Sequence, residues 1–186
     1  MSDDLRRDSH ASLTLCAAIV AAIAVAAVTV RLTLAAPARD LLGYPFADQH
    51  PSIAGAAAIL ATNARKLAAI YGLALVAQAP ILAGEAGRPR VARAVLRLAC
   101  DAGAVGQLAP SGVLVAVALG AYGSRMAAAI LPHGPLELAA FALALCVYRD
   151  ARRRPVRAGR ALGRAATGLA LLAVAALLET YACLPT

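Results

Sequence analysis

A run of 20 uncharged residues near the N-terminus, residues 11–30, restricts the possible folds more than any other feature of the sequence. An α-helix rises about 1.5 Å per residue, so roughly 20 apolar residues cross a hydrocarbon layer about 30 Å thick. Arg6 and Arg7 precede the run, as in a secretory signal, but the run is long for the apolar core of a signal peptide. We therefore predict that it is a membrane-spanning anchor.

Four further apolar runs follow, at residues 67–84, 102–124, 126–148 and 165–184. Hydrophobic residues make up 61% of the chain and charged residues 15%, which is more apolar than an ordinary soluble protein. We predict an all-α fold, a multi-pass transmembrane helix bundle with about five spans, in a single domain over residues 1–186. Pro132, Gly134 and Pro135 predict a kinked or broken segment before the fourth spanning helix.

The longest predicted connection, residues 31–66, contains three prolines and then a short apolar stretch. Ser52 precedes this stretch, and serine is a favoured residue at the start of a helix. The stretch from Ser52 toward Asn63 is therefore predicted to be helical, either in the membrane interface or as an extension of the second spanning helix.

The basic residues favour one orientation across the membrane, because lysine and arginine are retained preferentially in cytoplasmic segments. Thirteen of the 18 basic residues lie before residue 11, between the second and third spans, or between the fourth and fifth. We therefore predict a cytoplasmic N-terminus and an outer C-terminus. The predicted partners of the most basic loop are anionic lipid headgroups rather than nucleic acid. The residues assigned to headgroups are Arg152, Arg153, Arg154 and Arg157.

The cysteines do not predict a metal site or a disulfide framework. Cys16, Cys100, Cys146 and Cys183 form no C-x-x-C pair, and their spacing does not match that of zinc ligands. The sequence contains no phosphate-binding loop and no signature of a metalloprotease or a serine hydrolase. We therefore predict no metal and no cofactor.

Three ionisable residues interrupt the last two apolar runs: His133, Glu137 and Glu179. A charge inside a membrane segment costs several kcal/mol unless it finds a partner, so such residues are candidates for function. The predicted topology brings them to a similar depth near the outer face, close to four residues that could bind a partner or a peptide. These are Asn63, Arg65, Lys66 and Arg125. Two interpretations remain open: bridges that fix the helix register, or a site that binds a peptide or transfers protons.

Three short motifs together resemble the stage II sporulation protein M family. They are Asn63 ahead of an apolar helix, the run Pro132-His133-Gly134-x-x-Glu137-Leu138, and Leu178-Glu179 followed by Pro185. The resemblance implies a five-helix protein of the bacterial plasma membrane without a known catalytic mechanism. In endospore formers, members assemble with cell-wall hydrolases. Relatives elsewhere accompany transporters or the maturation and export of small ribosomal peptides.

The resemblance also implies that Asn63, His133, Glu137 and Glu179 are the polar positions of the family. The leading hypothesis is a scaffold or permease-like component that binds a membrane or secreted protein or a hydrophobic peptide, with a homo-oligomer as a further possibility. The alternative is a cofactor-independent peptide isomerase or epimerase, with His133 and either Glu137 or Glu179 as the opposed catalytic acid and base. A third hypothesis is an ion or proton channel.

Overall fold

The computed structural model describes residues 2–43, 51–82 and 90–182, and this part of the chain contains helices and no strands. Seven helices follow one another. They are α1 (Ser2–Thr33), α2 (Ala35–Leu42), α3 (Ile53–Leu82), α4 (Arg90–Tyr122), α5 (Ser124–Ile130), α6 (Gly134–Ala151) and α7 (Ala158–Ala182). The prediction of an all-α transmembrane helix bundle is confirmed.

Four helices contain a segment that is long and apolar enough to cross a membrane: α1, α3, α4 and α7. The fifth predicted span corresponds to α5 and α6, two helices bent by 62° at a short break. The pair makes a fifth span if it crosses the membrane as one unit. The chain is therefore a membrane protein whose described residues contain four candidate spanning helices, or five when the bent pair is counted.

The break before α6 lies where the sequence predicts it. α5 ends at Ile130 and α6 begins at Gly134, with Pro135 in its first turn. Proline is tolerated there because the amide of the first helical turn needs no partner within the helix. A second discontinuity lies at Gly123, whose φ of 59° is readily adopted only by glycine.

The helices extend beyond the apolar runs that predicted them. α3 begins at Ile53 rather than at residue 67, because the Ser52 hydroxyl accepts a hydrogen bond from the Gly55 amide at 3.0 Å and caps the helix. The stretch after Ser52 is thus an extension of the second predicted helix. α4 begins at Arg90 rather than at residue 102. The short helix α2 was not predicted.

The core forms around α3, which contacts α4, α6 and α7. Its buried side chains recur every three or four residues, as expected for one helical face. They are Leu67, Ile70, Ala74 and Ala77. The facing residues of α6 are mostly small, namely Ala140, Ala144, Val147 and Ala151. Small residues let helix backbones approach closely, which favours association where lipid is as apolar as the side chains.

α1 packs against α4 and also contacts α6. The helices α1 and α4 approach closely at Gly120, where a Cβ added to the glycine would lie 2.7 Å from the carbonyl oxygen of Ala27. Cys16 of α1 faces Cys146 of α6 closely enough for the two thiol groups to interact. Cys16, Cys100 and Cys146 do not form disulfides. Cys183 lies outside the described residues.

Candidate functional site at one end of the helix core

The buried faces of three helices become polar at the same end of the bundle. Asn63 lies four residues before the buried Leu67 of α3, and Glu137 lies three residues before the buried Ala140 of α6. Glu179 lies near the end of α7. Residues three or four apart share a helix face. Asn63 and Glu137 therefore continue the core surfaces of α3 and α6.

Asn63 and Glu137 are joined directly across the helix interface. The Asn63 Nδ2 donates a hydrogen bond to Glu137 Oε1 at 2.6 Å. Both residues are half-buried. Hydrogen bonds to an ionised acceptor are shorter and stronger than neutral ones, and an amide group can donate without adding a second charge. The contact ties the N-terminal part of α3 to the first turn of α6.

Glu179 comes close to this contact from α7. Its carboxyl group interacts electrostatically with that of Glu137, and it is also half-buried. The two glutamates thus lie at the same end of the bundle although 42 positions separate Glu179 from Glu137 in the sequence.

Lys66 adds a positive charge to the group. Its Nζ donates a hydrogen bond to the Ser111 hydroxyl of α4 at 2.7 Å, and its charge interacts with Glu137. We call Asn63, Lys66, Glu137 and Glu179 the Glu137 cluster. The sequence did not single out Ser111. A hydroxyl directly after Pro110 within an apolar helix is the signal that could have identified it.

Two of the predicted binding residues have exposed side chains. Arg65 is exposed on α3, because consecutive residues of a helix point about 100° apart and Lys66 occupies the face toward α4. Arg125 is exposed on α5. The structure does not place either residue among the half-buried side chains of the Glu137 cluster.

His133 lies at the break between α5 and α6, where it is only 5% exposed. Its carbonyl oxygen accepts hydrogen bonds from the amides of Leu136 at 3.0 Å and Glu137 at 3.2 Å. The residue therefore precedes α6 and begins its hydrogen-bond ladder. Through this contact His133 fixes the backbone that carries Glu137.

A second polar group lies at the other end of the core. Asp101 of α4 accepts a hydrogen bond from the Tyr148 hydroxyl at 2.6 Å and pairs with Arg152 at 2.9 Å. Asp150 pairs with Arg164 of α7 at 3.6 Å and with Arg154 at 3.8 Å. We call these six residues the Asp101–Asp150 network. It links α4, the end of α6 and the start of α7.

The network changes the interpretation of the basic loop after α6. Arg152 and Arg154, assigned from the sequence to lipid headgroups, both contact carboxylates of the protein. Arg153 and Arg157 are exposed, and they remain the better candidates for headgroup contact. The signal for the network was available in the sequence, since Asp101, Tyr148 and Asp150 are polar residues at the ends of apolar runs.

The Glu137 cluster is rich in hydrogen-bond acceptors. Two carboxyl groups provide several lone pairs. Asn63 donates a hydrogen bond to Glu137, and Lys66 interacts with Glu137 through its charge. In the described ranges, no three His, Cys, Asp or Glu side chains are grouped in a way that could hold a metal ion. Such a site can bind a cation or a group that donates hydrogen bonds. No known protein family, curated protein or solved structure matches this chain.

Proposed function

We propose that the chain is a multi-pass scaffold or permease-like component of a bacterial plasma membrane that binds a partner protein or a hydrophobic peptide at the Glu137 cluster. The observation that carries the proposal is the half-buried Glu137 carboxylate, which is held by Asn63 beside a second carboxyl group. A fixed carboxylate at the end of an apolar core is costly to maintain and is most often retained for function.

The chemistry of the cluster suggests what the partner offers. An ionised carboxylate has about four lone-pair positions, and the Asn63 amide occupies one of those on Glu137. Lys66 provides one positive charge near Glu137, and Glu179 adds a second acidic group. A peptide N–H, a free amino terminus or a basic side chain would satisfy the remaining acceptors and offset the charge.

The resemblance to the stage II sporulation protein M family supports the same class of function. In that interpretation the chain acts in peptide maturation and export or in remodelling of the cell envelope. Asn63, His133, Glu137 and Glu179 are the positions that carry the resemblance. The direct Asn63–Glu137 hydrogen bond gives two of them a common physical role.

We also propose that the N-terminus is cytoplasmic and the C-terminus lies outside. The support is the charge distribution, with 13 of 18 basic residues in the segments assigned to the inside. Alkaline phosphatase, which folds only outside the cytoplasm, should be active when fused after Thr186 and inactive when fused at Pro155. The reverse pattern of activities would show that the N-terminus lies outside and the C-terminus is cytoplasmic.

The binding function is tested by the substitution Glu137→Gln. Glutamine keeps an acceptor for Asn63 but removes the charge, so the helix contact survives while a cationic or donating partner is bound less well. Hydrogen bonds to charged groups contribute about 1.5–3 kcal/mol, which corresponds to roughly a 10- to 100-fold change in affinity. We expect at least a tenfold loss of proteins or peptides that co-purify with the tagged chain, measured by mass spectrometry.

The matched control is Asp40→Asn, which removes one carboxylate from the exposed side of α2. It should leave co-purification unchanged. Equal recovery by the wild type, Glu137→Gln and Asp40→Asn, with all three equally folded, would show that Glu137 only fixes the helix register and would refute the binding proposal.

A peptide captured in this experiment also tests the enzymatic alternative. An epimerase would remove a peptide Cα proton with one carboxylate and return a proton from the opposite face, which inverts the centre without any cofactor. A captured peptide incubated with the protein in heavy water would then gain one deuterium per turnover. The candidates for the acid and the base are His133 with Glu137 or Glu179, and the two glutamates lie close enough for their carboxyl groups to interact. Exchange that persists in a Glu137→Gln, Glu179→Gln double variant would count against it.

A further inference from the structure

A small cavity lies between α3 and α4, at the opposite end of α3 from the Glu137 cluster. Its volume is about 50 Å³. Three apolar residues and two arginines line it: Ala77, Ile81, Arg93, Leu96 and Arg97. A lining of this kind suits a ligand that is charged at one end and apolar at the other.

The lining residues come from two facing helix surfaces. Ala77 and Ile81 are four residues apart on α3, and Arg93 and Arg97 are four residues apart on α4. Residues at this spacing lie on the same face of a helix. The two guanidinium groups therefore belong to one side of the cavity, opposite an apolar wall.

Arg93 has a donor that nothing in the described part of the chain satisfies. Its Nε atom is buried and has no hydrogen-bond partner there. A buried donor without an acceptor loses its contact with water and gains nothing in return. A hydrogen-bond acceptor bound inside the cavity would satisfy the Arg93 Nε donor.

The neighbouring carboxylates of the described ranges are engaged elsewhere. Asp101, one turn after Arg97, contacts Tyr148 and Arg152 rather than Arg97. Asp150 pairs with arginines of its own network. Within residues 2–43, 51–82 and 90–182, therefore, no carboxylate pairs with either cavity arginine, and an anion from outside the protein would complement their positive charges.

We propose that this cavity binds the phosphate group of an anionic membrane lipid. Arg93 and Arg97 contact the phosphate oxygens, and an acyl chain lies along Ala77, Ile81 and Leu96. The planar guanidinium group matches phosphate geometry with two parallel hydrogen bonds. Both helices contain candidate membrane spans, and basic pockets between such helices are known sites for lipid headgroups.

Binding at a specific site differs in its salt dependence from the general attraction of a basic surface for anionic lipid. General attraction is screened by salt, because the Debye length falls to about 3 Å at 1 M. Partly buried contacts are screened much less. Arg93 is partly buried and Arg97 is exposed at the rim of the cavity. Lipid held by the pair should therefore survive a wash at 1 M salt, whereas lipid attracted only by exposed arginines should be removed.

The test uses the full chain reconstituted in vesicles of phosphatidylcholine and phosphatidylglycerol, then extracted in mild detergent with 1 M sodium chloride. Bound lipid is measured by mass spectrometry. The wild type should retain phosphatidylglycerol in preference to phosphatidylcholine. R93Q/R97Q should retain at least five-fold less phosphatidylglycerol than the wild type. The matched control R153Q/R157Q removes two exposed arginines and should retain as much as the wild type.

Three results would overturn the proposal: equal retention by R93Q/R97Q, equal retention of both lipids by the wild type, or displacement of the lipid by millimolar inorganic phosphate, which would assign the site to a soluble anion. If R93Q/R97Q does not fold, R93K/R97K provides the test. Lysine keeps the charge but cannot form the two-pronged contact, so reduced retention supports the proposal and unchanged retention refutes it.

Discussion

Replacing Asp150 with asparagine should destabilise the chain by about 3–5 kcal/mol, which is the usual cost of removing one partner from a buried ion pair. The side chain of Asp150 is only 12% exposed and that of Arg164 only 15%. Asparagine has nearly the same shape as aspartate, so the substitution removes charge without opening a cavity. The Arg164 guanidinium would then remain largely out of water while losing the carboxylate 3.6 Å away. Unfolding of the purified chain in detergent, followed by circular dichroism, measures the loss.

Two further variants test whether loss of the Asp150–Arg164 ion pair causes the destabilisation. Asp150→Asn combined with Arg164→Gln should recover much of the lost stability, because the buried charge is then removed together with its partner. Asp40→Asn changes an exposed carboxylate in α2 and should alter stability by less than about 0.5 kcal/mol. A single Asp150→Asn variant as stable as Asp40→Asn would show that the pair does not hold α6 and α7 together.

Replacing Gly120 with alanine should weaken the contact between α1 and α4. The added Cβ would lie 2.6 Å from the Cβ of Val30 and 2.7 Å from the carbonyl oxygen of Ala27. The second atom belongs to the backbone, so relief requires movement of the whole of α1. Overpacking of this kind typically costs about 1–3 kcal/mol.

Gly112→Ala is the matched control, because Gly112 lies in the same helix and a Cβ added there would meet nothing within 4 Å. Alanine is favoured over glycine in a helix by about 1 kcal/mol, and this gain applies at both positions. The difference between the two variants therefore isolates the contact. We expect Gly120→Ala to be less stable than Gly112→Ala by about 1–3 kcal/mol in the same unfolding measurement. Equal stabilities would mean that α1 can move away from α4 without loss.

The sequence predicts the helices well because length and apolarity directly reflect the thickness of a bilayer. It predicts the helix ends poorly, because caps and packing contacts outside an apolar run can extend the helix beyond that run. Ser52 extends α3 at one end, and α4 begins among arginines at Arg90. The start of α3 follows a polar segment, whereas the start of α4 lies within a basic segment and coincides with no apolar run.

The candidate site also has one part that the sequence predicts and another part that it does not. Glu137 and Glu179 could be identified because an ionisable residue in an apolar run stands out. Their partners could not be assigned from spacing, since Asn63 lies 74 positions from Glu137 and meets it only through the packing of α3 on α6. The Asp101–Asp150 network was missed for a related reason. Its arginines lie in a basic loop, where attraction to lipid was an adequate explanation until the carboxylates were seen beside them.

The polar groups at the two ends of the core also determine the length of its apolar part. Asn63 and the buried Gln78 are 15 residues apart on α3, which corresponds to about 22 Å along the helix axis. The surrounding hydrocarbon layer is about 30 Å thick. The apolar part of the core along α3 is therefore shorter than the surrounding hydrocarbon layer, so the polar groups at its two ends lie at or inside the boundaries of that layer.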